Sequence, residues 1–172
     1  MKNVLVGIGL LTMTSAHGQM VVSKQSTHNS SVSLDFADYE SRGLILPYVE
    51  QKANITENGT LIFDMLDKKV KYLKNNAWFD LSVNSSGKVD PGLEIGGTEV
   101  QNAKVSIGKQ TAVDGVLVLE DADKAMVLPR VAEPHLNIIN PSAGMIVYDT
   151  TNKLLAVYNG TVWSFWGPKL AP

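Results

Sequence analysis

Residues 144–166, "GMIVYDTTNKLLAVYNGTVWSFW", decide the fold. Three runs rich in β-branched, aliphatic and aromatic residues are separated by "DTTNK" and by Asn159-Gly160, the pattern of three short strands joined by two tight turns. Asn159-Gly160 is expected to fill a type I′ turn, because both residues tolerate a positive φ. Asn152 is expected at a left-handed position in the earlier turn. A weaker copy, "GTLIFDMLDKKVKYLKNNAWFDL", lies at 59–81. It has Asp67 in place of Asn152, and Lys74-Asn75 at the last hairpin, which is therefore expected to be looser.

Working outward, the likeness continues upstream. "KQSTHNSSVSLDF" (24–36) aligns with "KQTAVDGVLVL" (109–119), and "RGLILPYV" (42–49) with "KAMVLPRV" (124–131). "NGTLIFD" (58–64) aligns with "AGMIVYD" (143–149), and Trp78 falls on Trp163. The offset stays between 82 and 85 residues, the signature of a tandem duplication. Each copy reads as a short strand (Leu34–Phe36; Val116–Leu119), an acidic turn, and an apolar strand ending at Pro (Leu44–Leu46; Met126–Leu128). A variable connector with a short helical turn follows, and then the meander. Pro47 and Pro129 have no backbone donor and suit a strand end or an edge. Pro134 and Pro141 forbid a long helix in the second connector.

The expected fold is thus all-β, built from two tandem meander units. The expected organisation is a signal peptide over 1–18, a first unit over 19–81, a linker over 82–104 and a second unit over 105–172. The Gly-, Ser- and Asn-rich segment 82–103 reads as linker with a short strand near Leu93–Ile95, and residues 19–31 as a loose polar lead. "MKNVLVGIGLLTMTSAHGQ" has one basic residue, an apolar run too short to span a bilayer, and Ala16 and Gly18 before Gln19, as in a cleaved export signal.

Composition limits the classes of function. Of 172 residues 44% are hydrophobic, enough for a core, and the net charge of −2 provides no basic footprint for nucleic acid. The chain has no cysteine, which excludes thiol nucleophiles and disulfides; an exported chain of this kind relies on its core or on oligomerisation. No later stretch reaches the roughly 18 apolar residues of a membrane helix.

Few residues carry chemistry. His17, His28 and His135 lie apart in the sequence, without an evident Ser or carboxylate partner, and no P-loop, dinucleotide or metalloprotease motif is present. "EIGGTE" reads as a turn. Glu120, Asp121 and Asp123 cluster in "LEDADK", which reads as a solvated turn or as oxygen ligands for Ca²⁺, though without the Gly and distal Glu of a dedicated loop. Neither a cofactor nor a metal site is expected. Five Asn-x-Ser/Thr triplets begin at Asn29, Asn54, Asn58, Asn84 and Asn159. Trp78 and Trp163 occupy matching places, which favours sheet closure. Trp166 has no aromatic counterpart, so it is a candidate for core packing, a partner contact or stacking on a sugar.

The second copy resembles a repeat of secreted and surface proteins of Bacteroidota and of phage tail-fibre-like proteins. Lys124, Leu128, Pro129 and Arg130 match its first part, with Ala125 where Gly is usual. Pro141, Gly144, Tyr148, Asp149, Tyr158, Asn159, Gly160 and Trp163 match the rest. The first copy keeps Gly43, Leu46 and Pro47 but has Tyr48 in place of Arg. The resemblance implies a β-rich element of surface or fibre proteins without catalytic residues. The expected function is a non-enzymatic structural or binding protein of the cell envelope, located in the periplasm, at the outer membrane or on the cell surface. Its expected partners are envelope proteins or surface glycans, and fibre-like relatives pair strands between chains, often in threes. A carbohydrate-binding module is the alternative, and a small secreted hydrolase a remoter one. Arg130 and Trp166 are the candidate contact residues.

Overall fold

The computed structural model describes residues 18–38, 40–90, 104–108 and 112–167. The expected signal segment, Gly18 apart, the strand near Leu93–Ile95 and the "EIGGTE" turn lie outside these residues. Fourteen strands occur among them: β1 (Met20–Val22), β2 (Val32–Phe36), β3 (Leu44–Ile45), β4 (Tyr48–Val49), β5 (Leu61–Asp64), β6 (Lys69–Lys74), β7 (Ala77–Asp80), β8 (Val105–Gly108), β9 (Leu117–Glu120), β10 (Ala125–Met126), β11 (Arg130–Val131), β12 (Met145–Asp149), β13 (Leu154–Tyr158) and β14 (Trp163–Trp166). One helical turn, α1 (Pro134–Asn137), lies in the second connector; the first connector has turns only.

The duplication in the sequence is a duplication in space. Strands β1–β7 and β8–β14 run through the same program: a parallel pair, an isolated bridging strand, a second parallel pair and an antiparallel meander. Both parallel pairs of each unit are missing from the sequence expectation. They also correct the reading of 19–31 as a loose lead, since β1 pairs with β2 from Met20↔Leu34 to Val22↔Phe36. Gln19 adds a 2.7 Å bond from its amide to the Val32 carbonyl.

Alternation places Leu61, Phe63, Val70 and Tyr72 on one face of the first meander and Ile146, Tyr148, Leu155 and Val157 on the same face of the second. The two faces share one core, in which Leu46, Phe63 and Val70 of unit 1 meet Ala143, Ile146 and Val157 of unit 2. Burying a side chain as large as Phe63 contributes about 1.5–3 kcal/mol, so this seam is a main source of stability. A smaller core of Val131, Ile138, Met145, Val147 and Ala156 lies on the other face of unit 2. Unit 1 carries charge there instead: buried Lys71 bonds Asp67 and Asp80, each at 2.7 Å.

The turns differ in detail from expectation. Asp64 and Asp149 each fold back over the first turn; the Asp149 Oδ1 accepts from the Thr151 and Asn152 amides at 2.9 and 3.1 Å. The left-handed residues are Lys68 and Lys153, one position beyond Asp67 and Asn152, whose side chain instead bonds Asp149 at 2.8 Å. At the last hairpin the expectation is reversed. The Asn75-Asn76 turn of unit 1 has positive φ at both positions, as in type I′. In unit 2 only Gly160 has positive φ, the sign pattern of type II′, and Asn159 stands before the turn rather than within it. Asn159 is fully buried; its Oδ1 accepts from the Thr161 and Val162 amides and its Nδ2 donates to Asn84 Oδ1 at 2.7 Å.

The segment 82–90 runs along unit 2. The Val83 amide donates to Ser164 Oγ at 3.0 Å, and a Cβ on Gly87 would lie 2.5 Å from the carbonyl oxygens of both Lys68 and Asn159. No helix among the described residues is long and apolar enough to cross a membrane.

Candidate functional site

The seam between the units has the most definite geometry in the molecule. Leu-Pro directs it: β3 pairs with unit 2, Pro47 interrupts the ladder, and β4 returns to pair with its own β5. β3 lies antiparallel on the N-terminal half of β12, with Ile45 opposite Met145 and Leu44 opposite Ile146. The Leu46 amide continues the ladder to the Gly144 carbonyl at 3.1 Å. β11 occupies the other half of the same edge, at Tyr148 and Asp149. In the opposite direction β10 lies parallel to β2, with Ala125 opposite Val32 and Met126 opposite Leu34.

Side chains fit this exchange. Gly43 is required where β3 approaches β12, since a Cβ there would stand 2.4 Å from Met145 Cγ and 2.8 Å from Val147 Cγ1. Gly144, with φ of 74°, would bring a Cβ to 3.1 Å from that of Phe63. The Tyr48 ring tilts on Phe63 with centroids 5.5 Å apart, and its hydroxyl donates to the Ala143 carbonyl at 3.0 Å.

Arg130 and Trp166 are placed far from one another in role. Arg130 pairs with Asp38 and bonds His28 Nε2. The His28 Nδ1 lies 2.7 Å from the Asp35 carboxylate. Lys24 and the His28 amide bind the same carboxylate at 2.9 and 2.8 Å. Burial raises the pKa of Asp35, but the bonds from Lys24 and His28 outweigh it and hold the group at about 2. The Arg130 guanidinium likewise keeps Asp38 below the usual carboxylate range. Asp149 is also lowered: its burial opposes this, and the bonds from Asn152, Glu133 and Thr151 prevail. These carboxylates are held ionised by fixed donors, an arrangement suited to tying loops down rather than to exchanging protons.

A shallow cleft of about 520 Å³ runs beside Asp38, Glu40, Arg130, Asn137 and Thr150. Trp166 is 42% exposed, and its Nε1 donates to the Leu81 carbonyl, tying β14 to the end of unit 1. Trp163 tilts on Tyr158 at 5.1 Å, and Trp78 lines a second shallow cleft with Lys52, Ile55 and Leu73. In the Glu120–Asp123 turn, Asp121 pairs with Lys124 at 3.5 Å. Among the described residues no three His, Asp or Glu side chains gather as ligands for a metal.

Residues 106–169 match a family model described as the phage tail like trimerisation region. The match covers 64 of the 172 residues and falls on unit 2. It supports a phage-tail-fibre-like relationship for that unit, and its description carries no mention of the surface repeat of Bacteroidota. No curated protein and no solved structure matches the chain.

Of the seam residues, the sequence reading names Gly43 and Tyr48 only as motif positions and passes over Phe63, Ala143 and Ile146. The available signal was the Leu-Pro step present in both copies, which marks a strand that changes partner.

Proposed function

We propose that this protein is a non-enzymatic, fibre-like structural component that works as a homotrimer. The match of unit 2 to a phage tail like trimerisation region carries this reading. The fold is in keeping with it: both units are sheet scaffolds, and the carboxylates of Asp35, Asp38 and Asp149 are committed to ion pairs and turns. The export-type start of the sequence favours a place at the cell envelope, where the trimer presents its sheet surface to envelope proteins or surface glycans. Arg130, beside the cleft at Asp38, and exposed Trp166 are the contact residues assigned to that surface. A carbohydrate-binding role is the second reading, favoured by the 42% exposure of Trp166.

Light scattering on residues 19–172 tests the assembly. Three times the protomer mass is expected at micromolar concentration, and a monomer at every concentration would overturn it. For the surface, Arg130→Ala and Trp166→Ala are expected to weaken capture of partners from envelope extracts. Glycan binding that disappears with Trp166→Ala alone would favour the second reading.

A further inference from the structure

The contact between the two units runs one way. Unit 1 places β3 on the edge of β12, yet unit 2 does not place β10 on the edge of β5; β10 lies along β2 instead. Such a contact is heterologous: every unit has one surface that offers a strand and one that accepts it. Within a chain only one of each is used. Among the described residues, the N-terminal half of β5 on its side away from β6 and the outer edge of β10 pair with no strand.

Both leftover edges are already shaped for the same exchange. Gly59 N–H donates to the Leu73 carbonyl at 2.8 Å, as Gly144 N–H does to Tyr158 at 2.8 Å. Thr60 N–H donates to Glu57 at 3.3 Å, as Met145 N–H does to Ser142 at 3.2 Å. β6 covers one side of β5 at Leu61 and β4 covers only Phe63 and Asp64 on the other, so among the described residues no strand lies on that second side at Thr60 and Leu61. On the offering side, the Ala125 and Val127 amides point to β2, each with a 2.9 Å bond. Strand amides alternate, so that of Met126, between them and the counterpart of Leu44, points outward.

Shape and burial agree. Gly43 has no room for a Cβ against Met145; its counterpart Ala125 has one, and the residue corresponding to Met145 is the smaller Thr60. Phe63 and Ile146, which meet in the seam, are 0% and 2% exposed, whereas their counterparts Tyr148 and Leu61 are only half-buried.

We infer that β10 of one chain adds as an antiparallel strand to the N-terminal half of β5 in a second copy. Val127 then stands opposite Thr60 and Met126 opposite Leu61, repeating the pairing of Ile45 with Met145 and Leu44 with Ile146. The incoming copy's β3 lies beside β9, as β10 lies beside β2. Head-to-tail contacts of this kind close into rings or continue as filaments; closure at three chains rests on the trimer reading, whereas the strand pairing does not.

The absence of cysteine makes the pairing directly testable. The Leu46–Gly144 bond makes Ile45 and Met145 a non-hydrogen-bonded pair, with Cα atoms about 4.5 Å apart, within reach of a disulfide. The same holds for Val127 and Thr60 across chains. The Thr60→Cys/Val127→Cys variant is oxidised and examined on a non-reducing gel and by light scattering. Ile45→Cys/Met145→Cys, which should close within one chain, shows that the seam of β3 with β12 is folded and that oxidation closes a pair of this geometry. The expected result is a thiol-reversible covalent trimer, and a 1:1 covalent dimer when the two single variants are mixed. A trimer that stays uncross-linked while the control pair closes overturns the inference and leaves the trimer reading intact. Covalent dimers or open ladders without a trimer support the strand pairing and overturn the trimer. Uncross-linked monomers overturn both.

Discussion

Phe63→Ala tests whether the two units are one folding unit. Phe63 is 0% exposed, and it packs with Val70, Ile146 and Val157 across the seam, so its removal leaves a void bounded by both units. The loss of transfer free energy and the cavity together cost about 3–5 kcal/mol for a buried Phe→Ala change. Against a total of roughly 5–15 kcal/mol for a domain, that is a large fraction. At about 2–4 °C per kcal/mol for a chain of this size, the midpoint falls by roughly 6–20 °C. Thermal and urea unfolding, followed by circular dichroism at one fixed protein concentration, measure it. A single transition displaced as a whole is expected, since the void weakens both meanders. Leu66→Ala, at a site 68% exposed, serves as the control and is expected to change stability by no more than about 0.5 kcal/mol. A loss under about 1 kcal/mol for Phe63→Ala, set against this control, would remove Phe63 from a shared core. So would two transitions of which only one moves.

Three other expectations follow from particular contacts. Asn159→Ala strips the turn amides of Thr161 and Val162 of their buried acceptor and should destabilise by about 2–3 kcal/mol, read from urea midpoints. Asp35 has a folded pKa of about 2 against 3.8 in the reference state, so its contribution is full above pH 4 and is lost as the pH falls through 4 toward 2. That contribution is about 2 kcal/mol; Asp35→Asn should flatten the stability–pH curve between pH 2 and 4 and leave its slope above pH 5 unchanged. Gly43→Val should displace β3 from β12, because the added Cβ meets Met145 and Val147, and should accelerate amide exchange at Leu46 while Phe63 stays protected.

Much of the fold can be read in the sequence because it depends on local chemistry. Alternation in "MIVYD" and "LIFD" fixes which side chains share a face, and Asp149 and Asp64 fix the turns that follow them. Even there, the position of the left-handed residue was legible only to within one place, since Lys153 and Asn152 compete for it and the Asp149–Asn152 bond decides. The parallel pairs were not legible, because β4 and β11 are two-residue strands whose partners lie more than ten residues away. Of the candidate contacts, Arg130 gave no sequence sign of Asp38, 92 residues distant, or of His28, 102 residues distant.

The sequence by itself therefore determined the duplication, the meander in each copy and the break at each Leu-Pro, since these follow from periodicity and from the missing proline donor. Only the tertiary structure decided where the strand before each proline goes. Leu44-Ile45 and Ala125-Met126 have the same local preferences, yet one crosses to β12 and the other to β2. Local preference cannot separate the two; the partner edges do, since β12 and β2 lie far away along the chain and Gly43 leaves β3 the room against Met145 that a Cβ would take.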